Sequence, residues 1–144
     1  MRLGFPAGST TVRDQWYDRN PVLKQYGAAQ HVWAATAYAT LQFSYTVPAG
    51  KKAKIDGMSA SITWTSATVP NAGQVWQFET LGGSGLMYLD LGPTNPDRQA
   101  TLSMSPQTIL TAGQGVRVLE TNNNTTAGAT GTMSASILLT EFDA

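Results

Sequence analysis

The chain has 144 residues, with nine Lys or Arg against nine Asp or Glu, one His and no Cys. That length suits one domain around a single core. Zero formal net charge removes any whole-surface attraction to nucleic acid or to an anionic membrane, and the missing cysteines exclude disulfides and thiolate metal sites.

Only 12% of the residues are charged, so Thr, Ser, Asn and Gln must supply the polar surface. Such residues, with few Lys and Glu, favour strands over helices, because β-branched side chains pack well on a pleated surface. The composition reads as all-β, and so little charge favours association. The first residues hold no apolar run of signal-peptide length, and no window approaches a membrane span. The expectation is a soluble chain outside the general secretory route.

In chain order, residues 1–30 carry Arg2, Arg13, Asp14, Asp18, Arg19 and Lys24, a third of all charged side chains, without alternation. They read as an arm, and residues 31–144 as the domain it precedes. Asn20, Pro21 and Gly27 stand at cap, first-turn and stop positions, which predicts one or two turns of helix over residues 20–27. Fully extended, the arm would reach on the order of 100 Å, enough to cross to a neighbouring subunit. Arg13, Trp16, Tyr17, Arg19 and Tyr26 are its candidate partner-binding residues, the aromatics as large, rigid, amphipathic anchors. Packing of the arm on its own domain is the plain alternative.

Residues 31–38 are ambiguous, with Val32 and Trp33 among small residues. The stretch 40–64 organises the rest. Leu41, Phe43, Tyr45 and Val47 alternate with polar residues, which predicts a half-buried strand with those four inward. Pro48 and Gly50 turn the chain. A second strand starts at Lys51, and its apolar residues change parity across Asp56-Gly57: Ala53 and Ile55 before, Met58, Ala60, Ile62 and Trp64 after. One extra residue in a single long strand, a β-bulge with Gly57 left-handed, accounts for the change; a two-residue hairpin is the other possibility.

Further strands are predicted over residues 74–80, with Trp76 and Phe78 on one face, and over 86–91, 99–104, 108–110, 116–120 and 130–142. Turns rich in Gly, Pro and Asn separate them, with residues 122–128 as an exposed loop tip. About eight strands without a helical period imply an antiparallel β-sandwich or jelly roll preceded by an extended N-terminal arm.

Chemistry finds little support. His31 would have to carry any His-based metal or triad site alone. Glu79, Asp90, Asp97 and Glu120 are available for two-carboxylate glycoside hydrolysis, but no spacing pairs them, and Glu79 and Glu120 read as charges guarding strand edges. Gly82-Gly83-Ser84-Gly85 lacks the Lys and helix of a phosphate loop. Lys51, Lys52 and Lys54 read as an exposed edge, and the Asn123 and Asn124 sequons would matter only in a secretory pathway. Trp16, Trp33, Trp64 and Trp76 could form a sugar-stacking platform, though Trp64 and Trp76 fall in phase with the core. No catalytic, cofactor or metal residue is assigned.

The segments Tyr45-Thr46-Val47-Pro48-Ala49-Gly50-Lys51-Lys52 and Leu110-Thr111-Ala112-Gly113-Gln114-Gly115-Val116-Arg117-Val118 resemble turns of small jelly-roll virion proteins of tailed phages, both capsid decoration (cement) proteins and fibre tips. The C-terminal half is also similar to trimeric jelly rolls of the C1q and tumour-necrosis-factor type. Gln114 stands where those families often have Asp. The resemblance implies a non-enzymatic virion protein without cofactor. It would be made in the host cytoplasm and seated on the capsid surface as a homotrimer, with the major capsid protein as partner and neither nucleic acid nor membrane bound. A receptor- or carbohydrate-binding fibre tip is the alternative it implies, using the loops 65–73, 92–98 and 122–128 if they cluster.

Overall fold

The computed structural model describes residues 19–33 and 36–144. Among them are nine strands: β1 Val22–Trp33, β2 Tyr38–Thr46, β3 Lys51–Trp64, β4 Gln74–Thr80, β5 Gly85–Leu91, β6 Gln99–Met104, β7 Ile109–Thr111, β8 Gly115–Asn122 and β9 Gly131–Asp143. Every pairing is antiparallel, and the pairs nest: β4 with β5, β3 with β6 and β7, β2 with β8, β1 with β9. The chain is therefore one long hairpin, its apex at residues 81–84, wound so that successive pairs fall into opposite sheets. One sheet has the order β1-β9-β3-β6, with β7 also on β3, and the other β2-β8-β4-β5. This is the expected sandwich, with jelly-roll strand order.

Each sheet turns one face inward because its strands alternate. From β3 and β9 come Ile55, Ile62, Met133, Ile137 and Leu139, and from the second sheet Trp76, Phe78, Leu91 and Val118, all at or near zero exposure. Each such side chain contributes roughly 1.5–3 kcal/mol of burial. Trp64 and Trp76 lie in this core, and their indole N–H groups are satisfied: Trp64 Nε1 donates to Gln74 Oε1 at 2.8 Å and Trp76 Nε1 to the Ser61 carbonyl at 3.2 Å. Neither is available to stack on a sugar.

The parity change in β3 is a bulge within one strand. The register against β9 runs Ile55↔Leu139 and then Gly57↔Leu138, leaving Asp56 as the extra residue. Gly57 is not among the residues with positive φ, contrary to expectation. Asp56 instead turns its carboxylate along the sheet, to Lys54 Nζ at 2.8 Å and to the Thr140 hydroxyl at 2.5 Å.

A second bulge, unmarked in the sequence, lies in β2. The register against β8 passes from Leu41↔Leu119 to Phe43↔Val118. Phe43 and Tyr45 face inward as predicted, but Leu41 faces out and is 51% exposed. The extra residue, Gln42, reaches a carboxylate inside the sandwich.

The two turns singled out by resemblance lock together. Gly50 and Gly113 take φ of 75° and 82°. Val47 N donates to the Gln114 carbonyl at 2.8 Å, and Gly113 N to the Val47 carbonyl at 2.9 Å. Gln114 Oε1 accepts from Thr111 N at 2.8 Å and from the Thr111 hydroxyl at 3.1 Å, the service a shorter Asp side chain would give.

The helix expected over residues 20–27 is absent. That stretch enters β1, whose ladder from Val22↔Glu141 to Ala28↔Ala135 engages the backbone with β9 instead of with itself. Asn20 does not cap a helix; it takes a positive φ of 49° and turns the chain into the strand. Because β1 spans Val22–Trp33, a member of the first sheet runs across residue 30.

Candidate functional site

Arg13, Trp16 and Tyr17 lie outside the described residues. Arg19 and Tyr26 sit at the root of the N-terminal segment, where its attachment is visible. The Arg19 carbonyl accepts from Asp143 N at 2.7 Å, extending the β1–β9 ladder beyond Val22. Asp143 gathers the neighbouring side chains: Asn20 Nδ2 donates to Oδ2 at 2.7 Å and Lys51 Nζ to Oδ1 at 2.5 Å. The Lys51 bond, then the Asn20 bond, holds the Asp143 carboxyl below the usual carboxylate range, and the same bond to Asp143 raises Lys51. Ala144 N closes the corner on the Gly50 carbonyl at 3.0 Å. Lys51 is thus a half-buried partner of the C-terminus rather than part of a free basic cluster.

Tyr26 points between the sheets. Its ring stacks on Phe43 at 6.0 Å with planes 19° apart and tilts against Tyr45 at 5.8 Å. Beside this aromatic group lies Glu141, 7% exposed, which accepts the Tyr45 hydroxyl at 2.7 Å and pairs with Lys24 Nζ at 3.5 Å. Burial, reinforced by the bond to Glu141, raises the Tyr45 phenol well above its ordinary range. Strand β1 is therefore held to its neighbours by an aromatic stack and an ion pair as well as by its ladder. On its other face Leu23 is 64% exposed.

The carboxylates considered for hydrolysis are placed differently from the edge positions expected. Glu120 is fully buried on an interior strand, where it accepts the Tyr38 hydroxyl and Gln42 Nε2, the latter at 2.7 Å. Burial, then the bond to Glu120, raises the Tyr38 phenol. Glu79 faces the outer side of the same sheet, where it binds Arg117 Nε and accepts Gln77 Nε2 at 2.8 Å. Glu79 and Glu120 thus stand on opposite faces of one sheet and cannot flank a common glycosidic bond. Among the described residues no three His, Asp or Glu side chains gather as a metal site.

The loops 65–73, 92–98 and 122–128 do come together, at the end of the sandwich away from residue 19. Asn71 Nδ2 donates to the Thr125 hydroxyl and Thr125 N to Asn71 Oδ1, both at 2.8 Å. Arg98 donates to the Ser66 carbonyl, and its own carbonyl accepts from Trp64 N at 2.9 Å. Asn122 and Asn124, expected at an exposed tip, are buried braces: Asn122 Oδ1 accepts from Asn124 N and Asn124 Oδ1 from Thr126 N, each at 3.0 Å. These loops carry no aromatic side chain.

The outer face of the first sheet is a hydroxyl surface. Ser59 pairs with Ser136 at 2.7 Å and Ser61 with Ser134 at 2.6 Å, and these four, with Thr101 and Ser103, line a shallow depression of ≈ 450 Å³. The four serines of β3 and β9 satisfy one another in these two pairs.

No protein-family model and no curated protein matches the chain. Solved structures with similar folds include the capsid asymmetric unit of cyanophage Pam1, at 15% identity and TM-score 0.46, covering 100% of this chain and 94% of that one. The capsid of Helicobacter pylori bacteriophage KHP30 is similar at 11% identity and TM-score 0.43, over 88% of this chain and 99% of that one. A structure of infectious bursal disease virus, Gx strain, is similar at 11% identity and TM-score 0.40 over 86% of this chain, which spans 37% of the virus chain.

Proposed function

We propose that this chain is a structural virion protein, a decoration (cement) protein that binds the outer surface of a tailed-phage capsid and stabilises it through its N-terminal segment. The observation that carries the reading is the built root of that segment. Backbone and side-chain bonds from Arg19, Asn20 and Lys51 converge on Asp143, so residues 19 and 20, at the base of that segment, are held to the end of β9. A tether transmits load only when its root is held, and the nested ladders ending in β1 and β9 supply that hold. The turn resemblance supports the same reading.

Mechanistically the work is association. Trp16, Tyr17 and Arg13 would anchor the segment on the major capsid protein or on a second copy of the chain, and Arg19 would position its base. Repetition over a particle turns a weak contact into a strong one. A homotrimer would triple the tethers carried by each seat.

The test is deletion of residues 1–18, which leaves β1 intact, followed by co-sedimentation with capsids of the encoding phage. We expect binding to be lost while the β circular-dichroism spectrum and thermal midpoint persist. Retained binding by the folded truncation would overturn the tether.

The clustering of the three loops favours a second reading, a receptor- or carbohydrate-binding fibre tip. Without aromatics, such a site would bind through the Asn, Thr and Arg98 groups at that end. A glycan array probed with the intact chain tests it: a hit abolished by Asn71→Ala together with Thr125→Ala supports the fibre tip, and an empty array removes it.

A further inference from the structure

We infer that the outer face of the second sheet, β2-β8-β4-β5, is an interface between two copies of this chain, related by a two-fold axis that runs along the strands. The inference rests on the reading of the chain as an associating subunit and names the surface through which copies associate.

The register lays this face out in rows, because directly opposed residues of an antiparallel pair share a face. Leu41 opposes Leu119, Leu119 opposes Gln77 and Gln77 opposes Tyr88, so one row crosses all four strands. Its ends are open, Leu41 at 51% and Tyr88 at 58% exposure, and Leu119 between them is half-buried. On one side lies the row Ser44, Arg117 and Glu79, and on the other Ala39, Thr121, Val75 and Asp90. An apolar centre built from Leu and Tyr, with Arg beside it and polar groups around it, is the make-up of a protein interface. The outer face of the first sheet, by contrast, has short hydroxyl side chains bonded to one another.

The arrangement is complementary to itself. A two-fold along the strands exchanges left and right within each row, which sets β2 of one copy over β5 of the other and β8 over β4. Tyr88 then meets Leu41 of the second copy, and Leu119 meets its Gln77, each contact occurring twice. The charges follow the same rule. Arg117 and Glu79 stand on the two central strands of one row, so the exchange sets each Arg117 over Glu79 of the second copy and makes a ring of four charges alternating in sign. Within one copy Glu79 accepts from Arg117 Nε and from Gln77 Nε2, and the Arg117 side chain remains 40% exposed against 7% for Glu79. A two-fold across the strands would instead stack Leu41 on Leu41 and set Arg117 over Thr121 and Glu79 over Val75, leaving both charges without an opposite.

Four strands about 4.8 Å apart, over the eight residues of β8, offer roughly 500 Å² per copy. Two such faces give about 1,000 Å², the lower limit for a specific contact, so the dimer dissociates on dilution. Strands β1 and β9 belong to the other sheet, and the contact therefore leaves the root of the N-terminal segment free.

The absence of cysteine makes the test clean. Full-length Leu41→Cys and Tyr88→Cys chains bearing different tags are mixed and treated with a short bismaleimide. The inference predicts a product joining the two tags and little when either chain is treated alone. Leu41→Cys joined chiefly to itself overturns the axis, and no intermolecular product overturns the interface. Sedimentation velocity over a dilution series is the second measurement. Leu41→Asp with Tyr88→Asp, both at exposed positions, should weaken self-association about thirtyfold or more while the circular-dichroism spectrum persists. Unchanged self-association of the folded variant overturns the inference. Capsid co-sedimentation separates the two claims. A variant that self-associates like the native chain but no longer binds capsids puts the major capsid protein on this face in place of a second copy, which also overturns the inference. Native dimers lost in the variant, with no capsid binding by either, sink the decoration reading alone.

Discussion

Gly115 shows how tightly single positions are specified. A Cβ built there would lie 2.0 Å from the Tyr45 carbonyl oxygen and 2.8 Å from Leu81 Cδ1, so β8 can pass β2 only with hydrogen at this position. Gly113, two residues earlier, is constrained by φ of +82° in open space. The two alanine substitutions should therefore differ. Gly113→Ala should cost about 1 kcal/mol for the left-handed backbone, and Gly115→Ala about 3 kcal/mol, because backbone must move; urea denaturation measures both. The buried phenols set a second residue-scale expectation. Tyr38 and Tyr45 are both raised above the ordinary value of 10.0, each chiefly by burial and then by a carboxylate. The folded state thus holds these protons more tightly than the unfolded state. Their contribution is fully present below the unfolded value and is lost as pH rises from there through the folded values. Stability measured from pH 8 to 12 should fall above about 10 in the native chain, and less steeply in Tyr45→Phe, which cannot ionise there. Glu120→Ala should cost about 2–4 kcal/mol, since it leaves the Tyr38 hydroxyl and the Gln42 amide without their acceptor.

At the scale of elements, the two bulges decide which face is which. Because side chains alternate, deleting Asp56 would place either the 51–55 or the 58–64 half of β3 with its apolar residues outward. The expected outcome is an insoluble or unfolded chain, scored by soluble yield and by circular dichroism. Asp56-Gly57 was legible because apolar residues change parity across it. The β2 bulge was not: Leu41, Phe43, Tyr45 and Val47 keep one parity in the sequence, and Gln42 looks like any outward polar residue. In the fold the displaced Gln42 donates to buried Glu120 beside the Tyr38 hydroxyl, a contact between residues 78 apart in sequence. A signal for Glu120 did exist, since it shares the parity of Val116 and Val118, whereas the Glu79–Arg117 pair arises from register alone. The helix signals of residues 20–27 were overruled in the same way. A cap, a Pro and a Gly describe a short isolated helix worth little in water, whereas a ladder on β9 satisfies the same backbone and buries Tyr26.

For the whole molecule, nested pairing makes folding non-local. The hairpin of β4 and β5 closes within a few residues, while the β1–β9 ladder joins Val22 to Glu141. Such a topology folds in about milliseconds to seconds, because long loops must be closed before their contacts form. Stopped-flow refolding should fall in that range. Tyr26→Ala, which removes the stack on the last-closing strand, should mainly speed unfolding and leave the refolding rate nearly unchanged.

The sequence by itself determined the class of this protein. Low charge, Thr-rich alternation and regular Gly, Pro and Asn turns leave two antiparallel sheets as the way to bury one face of each strand, and they placed Trp64, Trp76 and the bulge of β3 correctly. These are local properties, set by period and by turn chemistry within a few residues. What the tertiary structure alone decided is pairing: that β1 lies on β9, that Glu120 and Glu141 are buried beside tyrosines, and that Asp143 fixes the root of the N-terminal segment. Each joins residues far apart in sequence, where register and packing override local preference.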